Sequence, residues 1–111
     1  MPAIRSLKPA EAKRLLDAGG ALLVDVREPM EYAREHIPGA ALVPLAKLSG
    51  ETLPAAAGKI LIFHCQSGNR SSAVVQALMQ RYGRSNVLSL RGGLQGYLQE
   101  VGPVEPGTKQ P

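Results

Sequence analysis

Residues 21 to 26, Ala21-Leu22-Leu23-Val24-Asp25-Val26, form a nearly unbroken apolar run. A strand with one wet face alternates apolar and polar side chains, so a continuous run of this kind belongs to a strand covered on both faces. A second run, Lys59-Ile60-Leu61-Ile62-Phe63-His64, reads as the central strand. Helical and strand-like segments alternate along the chain, which predicts an α/β fold with a mostly parallel sheet. At 111 residues the chain is one domain, large enough to bury a core without disulfides or metals.

The flanking segments fit that plan. Pro9 opens a helix in which Ala12, Leu15 and Leu16 share a face, and Gly19-Gly20 stops it. Pro29 opens a short helix through Glu35, with Glu28 and Glu31 near its positive end. Pro38-Gly39 turns the chain into a brief strand, Ala41-Leu42-Val43. Leu45, Ala46 and Leu48 make one helical turn, which Ser49-Gly50 breaks. After the central strand, Ser71 to Tyr82 forms a helix with Val74, Leu78 and Tyr82 at four-residue spacing, ended by Gly83. Asn86 to Leu90 is a last short strand, and Gly92-Gly93 turns it into a final helix from Leu94 to about Val101. The domain is expected to span residues 1–102. The tail 103–111 carries three prolines without periodicity and is expected to be disordered.

Composition excludes several classes of function. An apolar fraction of 44% and a charged fraction of 20% are ordinary for a soluble globular protein. The single cysteine, Cys65, cannot form an internal disulfide, and His36 and His64 are the only histidines, so neither a metal site nor a cofactor is expected. The N-terminus has no apolar stretch of signal-peptide length, and no segment approaches the roughly 20 apolar residues of a membrane span. The expected location is the cytoplasm, without a membrane partner. A net charge of +4 favours small anionic substrates. Nucleic acid is not expected as a partner, because the basic residues are dispersed and one Phe, three Tyr and no Trp offer little for bases to stack on.

Chemistry concentrates after the central strand, in the loop Cys65-Gln66-Ser67-Gly68-Asn69-Arg70. A thiol there faces unpaired backbone N–H groups at a helix N-terminus, with a guanidinium beside them, and both favour the thiolate nucleophile. The same N–H groups form a nest suited to a small anion. An isolated cysteine reads as a small buried hydrophobe; this loop context turns the reading towards a reactive thiol. Arg70, a cation at the unfavourable end of a helix dipole, makes sense if it faces an anion in the loop. Gly68 supplies backbone freedom and close ligand approach. Gln66, Ser67 and Asn69 line the loop or face solvent. Ser71 and Ser72 suit the helix cap. His64 points to the opposite face of the strand from Cys65 and is assigned to packing or hydrogen bonding. Asp25 and Arg27, on one side of their strand's end, suit a structural ion pair or a clamp from Asp25 to the backbone. His36 and Pro38-Gly39 read as turn chemistry.

Three stretches resemble rhodanese domains in order and spacing. Leu23 to Pro29, with Glu31-Tyr32 and His36-Ile37-Pro38-Gly39-Ala40, is similar to their N-terminal signature. Cys65 to Ser71 is similar to their active-site loop, and Leu90-Arg91-Gly92-Gly93 with Tyr97 to their C-terminal signature. Glu35 stands where these domains commonly carry glycine, and Tyr97 where tryptophan is usual. The resemblance implies a rhodanese-like fold, a five-stranded, mainly parallel sheet with helices on both faces. It also implies sulfurtransferase chemistry through a Cys65 persulfide. In that reading Cys65 is the nucleophile, Gln66, Ser67, Gly68, Asn69 and Arg70 bind substrate, and Asp25 and Arg27 give structural support. The donor would be a small sulfur anion such as thiosulfate, and the acceptor cyanide, a thiol or a protein cysteine. Two rivals are a sulfur carrier loaded by a protein partner and a non-catalytic interaction module. A third, a phosphatase or arsenate reductase, resembles Cys-x5-Arg, whereas Cys65 to Arg70 is the shorter Cys-x4-Arg.

Overall fold

Alternate residues of the buried strands serve opposite faces, and this period of two builds two separate cores. The computed structural model describes residues 5–48, 58–83 and 85–102. Along them run β1 (Ser6–Leu7), α1 (Pro9–Asp17), β2 (Ala21–Asp25), α2 (Pro29–Arg34) and β3 (Ala41–Leu42). A 3-10 turn at Leu45–Lys47 follows, then β4 (Ile60–His64), α3 (Asn69–Tyr82), β5 (Val87–Leu90) and α4 (Gly93–Glu100). The described strands form one sheet of five in the order β1-β5-β4-β2-β3, with every neighbouring pair parallel.

On one face Ala21, Leu23, Ile62 and Leu90 pack with Ala12 of α1 and with Leu94 and Tyr97 of α4. On the other, Val24, Leu61, Phe63, Cys65 and Val87 pack with Val74, Val75 and Leu78 of α3. Helices therefore cover both faces, as expected. Each parallel crossover needs a helix, and the continuous apolar runs need that cover.

Three expectations change. The fifth strand is β1, too short to carry any periodic pattern, and it lies at the sheet edge on β5. The long helix opens at Asn69 with Gly68 as its N-cap, two residues before Ser71. Ser71 is therefore inside the first turn and does not cap it. Tyr82, expected on the buried stripe with Val74 and Leu78, is 49% exposed; it is the last residue of α3, directly before the Gly83 cap. The break at Ser49-Gly50 and the 103–111 tail lie outside the described residues. Among the described residues no helix is long and apolar enough to cross a membrane, and no cluster of potential metal ligands occurs.

Candidate active site

The carboxyl end of β4 is where an α/β sheet presents its ligand sites, because parallel strands deliver their following loops and helix N-termini to that edge. Cys65 follows β4 directly. The loop curls back so that the Gly68 N–H donates to Cys65 Sγ at 3.1 Å and the Ser71 N–H at 3.4 Å. The Ser71 hydroxyl lies 3.7 Å from Sγ. Gly68 makes the curl with φ +103°, a conformation that favours glycine.

The residue exposes only 1% of its surface. Burial alone pushes the thiol pKa up. The Ser71 N–H and hydroxyl, the Gly68 N–H and the Ser67 N–H outweigh it, and the net shift is downward from the ordinary thiol value.

Ser71 is a site residue that sequence reasoning assigned to capping. Its hydroxyl meets the buried Ser89 hydroxyl of β5 at 2.8 Å, and Ser72 reaches the same Ser89 oxygen at 3.4 Å. These contacts aim Ser71 at the sulfur. The link is tertiary, so no local signal announces it.

The loop is seated on α4. Leu94 N–H donates to the Cys65 carbonyl at 2.9 Å and Gln95 N–H to the Gln66 carbonyl at 3.2 Å. Unpaired N–H groups of one helix N-terminus thus hold the peptides of the Cys65 loop. The close approach depends on Gly93, where an added Cβ would stand 2.5 Å from the Cys65 carbonyl oxygen and 2.8 Å from Gln66 backbone atoms. Gly92-Gly93 is more than the turn the sequence suggests.

Asp25 and Arg27 are both fully buried and form both arrangements anticipated for them. Arg27 Nη2 donates to Asp25 Oδ2 at 2.8 Å, and the Arg27 backbone N–H donates to Asp25 Oδ1 at 2.9 Å. Arg27 then spans outward, from Nη2 to the Glu35 carbonyl at 2.7 Å and from Nη1 to Gln66 Oε1 at 3.1 Å. It ties the end of β2 to the loop. Glu35 takes extended backbone at φ −167°, which any residue adopts, so a side chain where glycine is common introduces no strain. His64 is buried on the far face from Cys65, with Nδ1 3.2 Å from the Cys65 carbonyl oxygen and Nε2 3.5 Å from Asp25 Oδ2. Burial pushes its pKa down, against the pull of Asp25.

The remaining loop residues diverge. Gln66 is half-buried and engaged by Arg27, while Ser67 and Asn69 are exposed. Arg70 stands beside the sulfur but is paired end-on with Glu31, Nη1 to Oε1 and Nη2 to Oε2, both at 3.0 Å. Glu31, placed by sequence only near a helix dipole, is thus a component of the site contributed from 39 residues away.

The arrangement places a sulfur of lowered pKa under a nest of N–H donors. The family model described as rhodanese-like domain matches residues 8–100. An uncharacterized protein of Synechocystis sp. is 38% identical over 85% of this chain, which spans about half, 52%, of that relative. A protein of Allochromatium vinosum named sulfurtransferase is 35% identical over 84% of this chain and 86% of its own length. Among solved structures, thiosulfate sulfurtransferase from Pseudomonas aeruginosa superposes with a TM-score of 0.81 at 32% identity, covering 93% of this chain and 20% of that one. With the match running from the foot of α1 to the end of α4, and a relative of similar length sharing it, this chain belongs to the rhodanese-like domain family.

Proposed function

We propose that the chain is a sulfurtransferase in which Cys65 carries the sulfur. The observation that supports this best is the set of donors on Cys65 Sγ, which favours the anionic form of a buried sulfur and lowers its pKa. Family membership and the sulfurtransferase names of the Allochromatium and Pseudomonas relatives support sulfur transfer in general.

The thiolate attacks the outer sulfur of a donor, thiosulfate or a persulfide. The donor's S–S bond breaks, and sulfite or a thiolate leaves with the electron pair. A new S–S bond leaves Cys65 as a persulfide. An acceptor (cyanide, a thiol or a protein cysteine) attacks the terminal sulfur and returns the Cys65 thiolate, a ping-pong sequence. The loop N–H groups stabilise the persulfide anion as they do the thiolate. Gln66, Ser67, Gly68, Asn69 and Arg70 bind the donor, while Asp25 and Arg27 hold the loop. The test is mass spectrometry after incubation with thiosulfate. One adduct of about 32 Da, a single sulfur atom, is expected on Cys65 and is removed by cyanide or a reductant. Absence of the adduct with both thiosulfate and a small persulfide overturns the reading.

Arg70→Ala should lower kcat/KM for thiosulfate by about 1.5–3 kcal/mol, tenfold or more, the scale of a hydrogen bond to a charged group. The variant also leaves the Glu31 carboxylate without its guanidinium beside the incoming anion. Arg70→Lys restores charge but not the fork and should recover part of the rate. Unchanged thiosulfate kinetics in Arg70→Ala would assign anion binding to the backbone alone.

Phosphate monoesters should not be turned over usefully, because the Cys-x4-Arg ring is too small to surround a phosphoryl group. Efficient hydrolysis of p-nitrophenyl phosphate by the unmodified protein would contradict that geometric argument.

A further inference from the structure

The cation beside the sulfur is already occupied. Arg70 meets both Glu31 oxygens at 3.0 Å, and Glu31 is itself anchored, because its Oε1 accepts the Glu28 N–H at 2.9 Å in the first turn of α2. The carboxylate is therefore fixed in the scaffold and does not travel with Arg70. The hydrogen bonds from Arg70 hold the Glu31 pKa down to about 2, so Glu31 stays ionised at any working pH. The pair is part-exposed, at 36% and 30%, and so stands at the mouth of the site and not under it.

Next to it opens a cavity of about 270 Å³ lined by Arg27, Glu31, Arg34, Glu35 and Gln66. Arg27 is consumed by Asp25 and Arg70 by Glu31, and the cavity wall holds Glu35 together with Arg34. The cavity beside the pair is thus lined by balanced charge, without the surplus positive charge that a dianion would seek.

We infer that Glu31 is a specificity-determining residue that disfavours dianionic donors such as thiosulfate and makes persulfides of low charge the preferred sulfur source, a refinement that rests on the sulfurtransferase reading. A dianion that approaches the guanidinium N–H groups left free by the fork stands beside the ionised Glu31 carboxylate, and taking the forked N–H groups as well means breaking both charge-assisted bonds. A persulfide R–S–SH needs neither. The Cys65 thiolate attacks its outer sulfur, the S–S bond breaks, R–S⁻ leaves with the electron pair, and the transferred sulfur keeps its proton. The Gly68 and Ser71 N–H groups then hold the product.

The test compares kcat/KM for thiosulfate and for the persulfide of 2-mercaptoethanol in the wild type, Glu31→Gln and Glu31→Ala. Glu31→Gln keeps an acceptor for the Glu28 N–H, and melting curves establish that both variants fold. In both, the thiosulfate-to-persulfide ratio should rise on the order of tenfold, mainly through a lower KM for thiosulfate, and the rise should shrink as salt is added. A ratio that stays within twofold of wild type, or falls, overturns the role of Glu31 while persulfide formation in the wild type leaves the sulfurtransferase reading standing. A wild type that forms no persulfide from either donor overturns that reading and this one with it.

Discussion

Cys65→Ser should abolish both the sulfur adduct and turnover with any donor. Replacing sulfur by oxygen keeps the size and the hydrogen-bonding capacity of the group under the Gly68 and Ser71 N–H donors. It removes the nucleophile, because those donors lower a thiol's pKa but cannot make an alkoxide at neutral pH. The expected fall in kcat/KM is a thousandfold or more, on the order seen when a covalent nucleophile is removed. Thiocyanate formation from thiosulfate and cyanide measures it. A melting curve run in parallel separates lost chemistry from lost fold. Turnover retained in a folded Cys65→Ser protein would remove Cys65 from the mechanism.

Gly93→Ala should be the most damaging single methyl group that can be added near the site. Gly93 has φ +58°, where a side chain costs roughly 1–2 kcal/mol. The new Cβ would also lie 2.5 Å from the Cys65 carbonyl oxygen, a backbone atom that cannot rotate away. Relieving that overlap by shifting α4 adds about 1–3 kcal/mol. The total, roughly 2–5 kcal/mol, corresponds to a fall in melting temperature of about 10–30 °C for a domain of this size. Movement of α4 also pulls the Leu94 and Gln95 N–H groups off the loop carbonyls, so sulfur transfer should fall even where the variant remains folded. A melting temperature within about 3 °C of wild type would show that the loop and α4 separate at little cost.

Part of this architecture is written locally. Strands β2 and β4 are legible because apolar side chains on both faces leave an unbroken run, and α1 and α2 because proline fits only the first turn. The ion pair of Asp25 with Arg27 is legible because two residues on a strand separate same-face neighbours. Strand β1 is not, since two residues cannot express a period and its partner β5 lies at the far end of the chain. The start of α3 is misread by two residues because Ser71 and Ser72 look like caps, whereas the left-handed Gly68 takes that place and frees Ser71 to turn inward.

The amino-acid sequence alone determined that the chain alternates helix and buried strand, and that its one cysteine stands where a strand hands over to a helix. Those are consequences of periodicity and of backbone groups left unpaired at a helix start, which neighbouring residues settle among themselves. What surrounds the sulfur was decided by tertiary structure. Glu31 comes to Arg70 from α2, Ser89 to Ser71 from β5, and Gly93 to the Cys65 carbonyl from α4. Contacts of this kind depend on how the elements stack against the two faces of the sheet, and no spacing within one segment encodes the distance to another.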